Sequence, residues 1–287
     1  MYSARITRLN PTAFIFLIDH SGSMEEKMMF GRSMMAKADA VAMVTNMLIR
    51  ELINRCRREE GILDYFDIAA IGYSADEAAV LLGGADGFVK PSELAMRPCK
   101  KRTFTRERVL PDGRSVITND ELKYWIEPKA EGSTPMRSAL EQALLLAGNW
   151  CRRPGNAASY PPTIFNITDG EASDGDHEIL TNLAGQIKSL GTQDGNALLI
   201  NINLTCGAGD RTVVFPSSHD ELPAGSRYAR MLYEMSSAMP GEYNETIVRL
   251  RSGDACAPPF RGMSCNTSIA DLISMLNVGS RSINKMQ

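Results

Sequence analysis

Closely spaced cysteines and long apolar runs are both absent from this chain of 287 residues. None of its six cysteines stands at the C-x-x-C spacing that zinc sites and redox motifs use, so we expect reduced thiols and no metal held by cysteine. No stretch of about 18 apolar residues occurs, which predicts that no helix spans a membrane. The first apolar run, at residues 13–18, is too short for the core of an export signal. We therefore expect a cytoplasmic protein.

A large charge of either sign is missing as well. The chain has 31 Lys and Arg residues against 34 Asp and Glu residues, a formal charge of −3, and this near balance argues against nucleic acid as the main partner. Hydrophobic residues make up 44% of the chain and charged residues 23%, which is typical of a globular protein with a sizeable core. The length fits one large domain or two small ones.

Short β-rich runs alternate along the chain with longer helical stretches, a pattern typical of a parallel sheet covered by helices. We predict strands at residues 12–18, 67–73, 78–82, 163–168, 197–205 and 261–265. We predict helices at residues 34–58, 136–150, 176–190, 228–238 and 268–276, with a loop at 240–259. The predicted fold class is α/β: a doubly wound, mostly parallel central sheet with helices on both faces.

The alternation breaks between residues 83 and 127, where polar, basic and turn residues intervene. Within this segment, Pro111, Asp112 and Gly113 form a strong turn signal between two β-rich runs. We therefore predict a single domain over residues 1–287 that carries an insertion at 83–127 with a β-hairpin.

Two of the predicted strands lead into an aspartate, Asp19 and Asp169. In a doubly wound sheet, the carboxyl ends of the strands beside the order reversal face one crevice, so these carboxylates are expected to meet. Ser21 and Ser23 follow Asp19 on the same turn, and Thr134 joins them from another loop. Magnesium prefers such an all-oxygen ligand set, so the sequence predicts a site for Mg²⁺ or Mn²⁺.

Three segments together resemble the von Willebrand factor type A (vWA) family, in its intracellular bacterial form. The letters DHSGS at 19–23 fit the D-x-S-x-S motif, EGSTPM at 131–136 resembles the threonine loop, and ITDG at 167–170 resembles the aspartate loop. Because all three occur in order and at the expected places in the predicted elements, each supports the others. The resemblance covers residues 13–204 and leaves the insertion without a counterpart.

This resemblance implies a Rossmann-like fold with a complete metal-ion-dependent adhesion site. Ser21, Ser23 and Thr134 would supply hydroxyl oxygens, while Asp19 and Asp169 would bind the ion directly or through water. The open coordination position would accept an Asp or Glu from a partner protein. The implied function is a metal-dependent protein-interaction module.

Other interpretations of the same residues stay open at this point. The serines and Thr134 can serve as caps, and aspartates at strand ends often satisfy backbone donors only. A hydrolase with Ser21 as nucleophile needs a catalytic histidine or a G-x-S-x-G elbow, and neither is recognisable. A metal-dependent hydrolase or phosphatase using the same site is the alternative function. We expect no enzyme, because no general base or activated nucleophile can be named.

Three smaller features have two interpretations each. The acidic residues between 169 and 178 suit a second cation or a solvated helix start. The basic stripe at 97–108 suits an acidic partner or a plain solvated hairpin. The methionines near the metal loop suit an adaptable binding rim or core packing under the first helix, and they are Met24, Met28, Met29, Met34 and Met35.

Overall fold

The computed structural model describes residues 2–30, 33–75, 77–97, 99–109, 114–204, 212–251, 256–266 and 275. The strands are β1 (Thr12–Asp19), β2 (Lys27–Phe30), β3 (Ser33–Ala36), β4 (Arg57–Arg58), β5 (Gly61–Ile62), β6 (Phe66–Ser74), β7 (Glu77–Leu82), β8 (Lys100–Val109), β9 (Ser115–Tyr124), β10 (Thr163–Thr168), β11 (Gly191–Thr192), β12 (Gly195–Asn196), β13 (Leu198–Asn203), β14 (Val213–Val214) and β15 (Met263–Cys265). The α-helices are α1 (Lys37–Arg55), α2 (Pro91–Met96), α3 (Met136–Cys151), α4 (His177–Ser189), α5 (Arg227–Met235) and α6 (Asn244–Leu250).

Seven strands form the central sheet in the order β14-β15-β13-β10-β1-β6-β7. The five inner strands run parallel, and the two edge strands, β7 and β14, run antiparallel to their neighbours. From β1 the chain moves to β6 on one side and later returns to β10 on the other, so the strand order reverses between β1 and β10. The predicted doubly wound α/β fold is confirmed, and its crevice lies at the carboxyl ends of these two strands.

The sheet has helices on both faces because its inner strands are apolar on both sides. Every residue of β1 and β10 is buried. Phe16 belongs to the core cluster that contains Val44 of α1. Its neighbour Leu17 points the other way and belongs to the cluster that contains Leu140 of α3. Alternate side chains of one strand thus hold opposite helical layers, which fixes the position of the strand ends.

The start of the first helix differs from the prediction. Helix α1 begins at Lys37, and residues 34–36 belong to β3, which pairs with β2 in a short antiparallel hairpin. Residues 34–36 have helix-compatible side chains, so only the pairing with β2 reveals the strand. Met24, Met28 and Met35 pack into or against the core, whereas Met34 is 57% exposed.

The insertion contains the predicted hairpin, and it is longer than the sequence indicated. Strands β8 and β9 pair from Lys100 with Tyr124 to Val109 with Ser115. Leu122 and Tyr124 are buried against Ala42 of α1, which anchors the base of the hairpin. The predicted turn at 111–113 lies outside the described residues. Basic residues of the stripe form ion pairs with carboxylates, which favours its interpretation as a plain solvated hairpin. The pairs are Arg97–Glu93, Lys101–Glu121 and Arg102–Glu127.

The chain after α5 is more helical than predicted. Residues 244–250, expected in a loop, form α6, because Ile247 and the preceding Tyr243 are buried in the core. The predicted strand at 261–265 is present as β15, and of the predicted helix at 268–276 only Met275 lies within the described residues. Among the residues that the structure describes, no helix combines the length and the apolar character needed to cross a membrane.

Candidate metal centre

The first loop of the centre leaves β1 at Asp19, which is fully buried. The backbone N–H of Ser21 donates to Asp19 Oδ1 over 2.8 Å, which folds the loop back on the carboxylate. The Ser21 and Ser23 hydroxyls lie 3.1 Å apart. A short 3-10 helix, Gly22–Glu25, then carries the chain away from the sheet. Ser23 belongs to this helix, and its hydroxyl stays within hydrogen-bond distance of the Ser21 hydroxyl.

The aspartate loop after β10 meets this first loop directly. The Ser23 hydroxyl donates to Asp169 Oδ1 over 2.7 Å, joining residues 146 positions apart in the sequence. Strands β1 and β10 are parallel neighbours with Ile18 opposite Ile167, so both loops begin at the same level of the sheet. The loops that follow the two strand-end aspartates therefore meet, through the bond from Ser23 to Asp169.

The threonine loop is held in place by backbone contacts with the first loop. Gly132 has a φ of +71°, and its carbonyl accepts a hydrogen bond from Gly22 N over 2.9 Å. Two further bonds join Thr134 to Ser173: Thr134 N donates to the serine hydroxyl over 3.1 Å, and Ser173 N donates to the threonine carbonyl over 2.9 Å. These contacts fix the backbone of Thr134 between the other two loops.

Gly170 shows how near the hydroxyls of Ser23 and Thr134 lie to the aspartate loop. A Cβ built on Gly170 would be 3.7 Å from Ser23 Oγ and 3.8 Å from Thr134 Oγ1. The structure thus brings all five predicted ligands, contributed by three loops, to one place. Hydroxyl and carboxylate oxygens are the donors that Mg²⁺ and Mn²⁺ prefer, so this donor set fits the predicted ion.

Two residues that the sequence did not single out orient Asp19. The Thr168 hydroxyl donates to Asp19 Oδ2 over 2.8 Å, and the Tyr228 hydroxyl donates to Thr168 Oγ1 over 3.0 Å. Thr168 precedes the aspartate of the third motif, so the motif itself contains a signal for it. Tyr228 comes from α5, and no spacing in the sequence connects it to the centre.

A third unpredicted member is Lys37, the first residue of α1. Its ammonium donates to Asp169 Oδ2 and to Glu26 Oε2, each over 2.7 Å. The hydrogen bond and the charge of Lys37 hold the pKa of the Glu26 carboxyl below its usual value. The sequence predicts a helix from residue 34, which puts Lys37 inside it and gives no sign of its contact with Asp169.

Burial shapes the protonation of the first loop. Desolvation lowers the pKa of the His20 imidazole to about 4, and the nearby Lys129 ammonium acts in the same direction. Burial also raises the pKa of the Asp19 carboxyl, against the hydrogen bonds from Ser21 and Thr168 that lower it. His20 is therefore neutral near pH 7.

The acidic segment after Asp169 has a structural role. Asp174 accepts hydrogen bonds from the backbone N–H groups of Arg137 and Ser138, each over 2.9 Å, in the first turn of α3. Asp176 caps α4 by accepting from Ile179 N over 2.9 Å. Within the described residues, no cluster of three or more His, Cys, Asp or Glu side chains could hold a metal ion. The bonds of Asp174 and Asp176 to helix N–H groups favour the interpretation of this segment as a helix start over a second cation site.

Comparison with known proteins gives a likeness in structure only. No protein-family model matches the sequence, and no curated protein matches it. A von Willebrand factor type A protein from Catenulispora acidiphila is 15% identical with a TM-score of 0.40, over 68% of this chain and 33% of that chain. The vWF domain of the type V pili tip protein Mfa5 from Porphyromonas gingivalis is 13% identical with a TM-score of 0.29, over 57% of this chain and 39% of that chain.

A third solved structure, an uncharacterized membrane spanning protein from Vibrio fischeri, is 14% identical with a TM-score of 0.28. That match covers 78% of this chain and 85% of the other. The first two matches span less than half of their partners' length. At these scores, the assignment of fold rests on the strand order of this chain, and any function rests on the geometry of its own centre.

Proposed function

We propose that this chain is a protein-interaction module whose metal centre binds an acidic residue of a partner protein. Mg²⁺ or Mn²⁺ would be held by Asp19, Ser21, Ser23, Thr134 and Asp169. The observation that carries the proposal is the bond from Ser23 to Asp169, which joins two of the three predicted loops at the strand-order reversal. Parallel α/β sheets bind ligands at this place because the strand ends open into a crevice there.

The existing hydrogen bonds indicate what charge an ion in the centre would retain. Both oxygens of Asp19 and both oxygens of Asp169 already accept hydrogen bonds from the protein. The hydroxyl oxygens of Ser21, Ser23 and Thr134 carry no charge, so an ion among them keeps much of its positive charge. Such an ion supplies a strong, charge-assisted contact for an incoming carboxylate.

A binding role is favoured over hydrolysis by the surroundings of Ser21. Among the described residues, its hydroxyl is hydrogen-bonded to the Ser23 hydroxyl and forms no hydrogen bond with a histidine. The neighbouring His20 has a pKa of about 4, which is too low for an efficient general base near neutral pH. We further propose a cytoplasmic location, which suits the free cysteines among the described residues.

Binding of acetate, a simple carboxylate, tests whether the ion has an open coordination position. The protein is loaded with Mn²⁺, and NMR measures the paramagnetic relaxation of acetate methyl protons against neutral acetamide. We expect enhanced relaxation of acetate only, and its loss in Thr134→Ala. The matched control is Thr181→Ala, since the Thr181 hydroxyl donates to His177 O on α4, away from the centre. Equal relaxation of both probes, or no effect of Thr134→Ala, would contradict the proposal.

A further inference from the structure

The metal centre contains a cation that belongs to the chain itself. Lys37 is only 3% exposed, and its ammonium lies 2.7 Å from Oδ2 of Asp169, a carboxylate whose side chain is fully buried. The same ammonium lies 2.7 Å from Glu26 Oε2. A buried carboxylate is strongly disfavoured without a paired charge, so Lys37 supplies what Asp169 needs when no other cation is present.

The fold holds Lys37 in this position through the β2–β3 hairpin. The hairpin leaves the centre at Glu26 and returns at Lys37, and Lys37 N donates to Glu26 O over 2.9 Å at its base. The first pair of the hairpin, Lys27 with Ala36, stands next to this bond. The ammonium is therefore placed by backbone pairing at the base of the hairpin as well as by its own ion pairs.

We propose that Lys37 is a resident counter-cation of the metal centre and sets its affinity for divalent ions. This proposal rests on the proposed metal-binding function. With both oxygens of Asp169 already engaged, by Ser23 and by Lys37, an incoming ion shares this carboxylate with an ammonium. The ammonium repels the ion, and the repulsion is strong because the site is shielded from water. Lys37 thus stabilises the metal-free protein and weakens metal binding.

The same ion pair has a consequence for the partner. Lys37 offsets the negative charge of Asp169, so a bound divalent ion retains more of its positive charge toward the open position. A partner carboxylate is attracted by that remaining charge. Removing Lys37 is therefore expected to tighten the metal and to weaken the carboxylate contact, a combination that a purely structural role for Lys37 does not predict.

The test is calorimetric titration of the full chain with MgCl₂, comparing the wild type with Lys37→Met. We expect Mg²⁺ to bind the variant at least about tenfold more tightly. Removing one unit charge beside a divalent ion, in a site shielded from water, changes their Coulomb energy by more than a tenfold change in affinity requires. The melting temperature of the metal-free variant should fall, and Mg²⁺ should raise it more than in the wild type. The control is Lys188→Met, because the Lys188 ammonium bonds to Glu234 O and Ser236 O, outside the centre, and its Mg²⁺ affinity should equal that of the wild type.

A second variant, Glu26→Gln, covers the case in which Lys37→Met fails to fold. The Glu26 side chain is 63% exposed, so its replacement spares the core, while the charge of Lys37 loses one of its partners. We expect Mg²⁺ to bind this variant less tightly than the wild type, the opposite sign to Lys37→Met. Unchanged affinity in Glu26→Gln, or unchanged or weaker affinity in Lys37→Met, would overturn the proposal.

The titrations also separate this proposal from the function on which it rests. If the wild type binds Mg²⁺ and Lys37→Met binds it equally well, the counter-cation role is wrong and the metal-binding function stands. If the wild type fails to bind Mg²⁺ while Lys37→Met binds it, the counter-cation role stands and the proposed function of the natural chain fails. Failure of both proteins to bind would overturn both.

Discussion

The hydroxyl of Thr168 donates to Asp19 Oδ2 over 2.8 Å, and so ties together the ends of two neighbouring parallel strands. The direction of this bond is set by the other neighbours of the hydroxyl. The Tyr228 hydroxyl donates to Thr168 Oγ1 over 3.0 Å, and Gly170 N donates to it over 3.3 Å. The proton of Thr168 has two acceptors within reach, Asp19 Oδ2 at 2.8 Å and Gly170 O at 3.2 Å, and the shorter distance favours Asp19. The carboxylate is thereby oriented before any ion arrives.

Replacing Thr168 with valine should therefore harm both stability and metal binding. The variant keeps the shape of the side chain but leaves Asp19 Oδ2 without its donor, and an unsatisfied buried acceptor costs about 1–3 kcal/mol. We expect the free energy of unfolding in urea to fall by this amount and Mg²⁺ affinity to fall as well.

A matched control stands at the other end of the same strand. Thr163 is also fully buried, but its hydroxyl has no hydrogen-bond partner among the described residues. Thr163→Val should accordingly be neutral or slightly stabilising, with unchanged Mg²⁺ affinity. Equal destabilisation by the two valine variants would show that the bond to Asp19 has no special role.

Gly132→Ala should displace the threonine loop. A Cβ at this position would lie 2.7 Å from both the N and the Cα of Ala75, which are backbone atoms that cannot rotate away. Gly132 also has a φ of +71°, a conformation that costs a non-glycine residue about 1–2 kcal/mol. We expect a larger loss of stability than this, measured by urea unfolding, together with weaker Mg²⁺ binding.

Gly225→Ala separates the backbone cost of a positive φ from the steric cost of the contact with Ala75. Gly225 has a similar φ of +75°, but a Cβ there would meet no atom of the described residues within 4 Å. This variant should lose only the backbone cost of about 1–2 kcal/mol and keep its Mg²⁺ affinity. If Gly132→Ala behaves like Gly225→Ala in both measurements, the contact with Ala75 does not position the loop.

The stability of the metal-free protein should depend on His20. Its pKa in the folded chain is about 4, below the usual value of about 6.5, so between these values the unfolded chain binds more protons. The contribution of His20 to the free energy of unfolding is therefore fully present above about pH 6.5. It falls by roughly 2–3 kcal/mol as the pH falls toward 4. The raised pKa of Asp19 acts in the opposite sense, because it favours protonation of the folded chain.

The His20 contribution is isolated by comparing urea unfolding at pH 7 and pH 5. His20→Asn should lose less stability between these values than the wild type does. The control is Thr163→Val, which replaces a buried hydroxyl and changes no histidine, so it should keep the pH dependence of the wild type. A wild-type and a His20→Asn protein with the same pH dependence would contradict the burial of a neutral imidazole.

The sequence predicted the inner sheet well because those strands are apolar on both faces. Residues 163–168 form β10 with the predicted bounds, and the three loops that carry the five predicted ligand residues meet as the motifs predict. The misses are contacts between distant segments. Nothing local marks Lys37 as a partner of Asp169, because its placement depends on the pairing of β2 with β3. Tyr228 reaches Thr168 only because α5 packs beside the sheet.

The most direct test of the account is calorimetric titration of the wild type and of Asp19→Ala with MgCl₂. The control is Asp174→Ala, since Asp174 bonds only to backbone N–H groups of α3 among its described partners. Titrations are run well below the melting temperature of each variant. The account predicts one Mg²⁺ site in the wild type, the same site in Asp174→Ala and no binding to Asp19→Ala. Equal Mg²⁺ binding by the wild type and Asp19→Ala would contradict it.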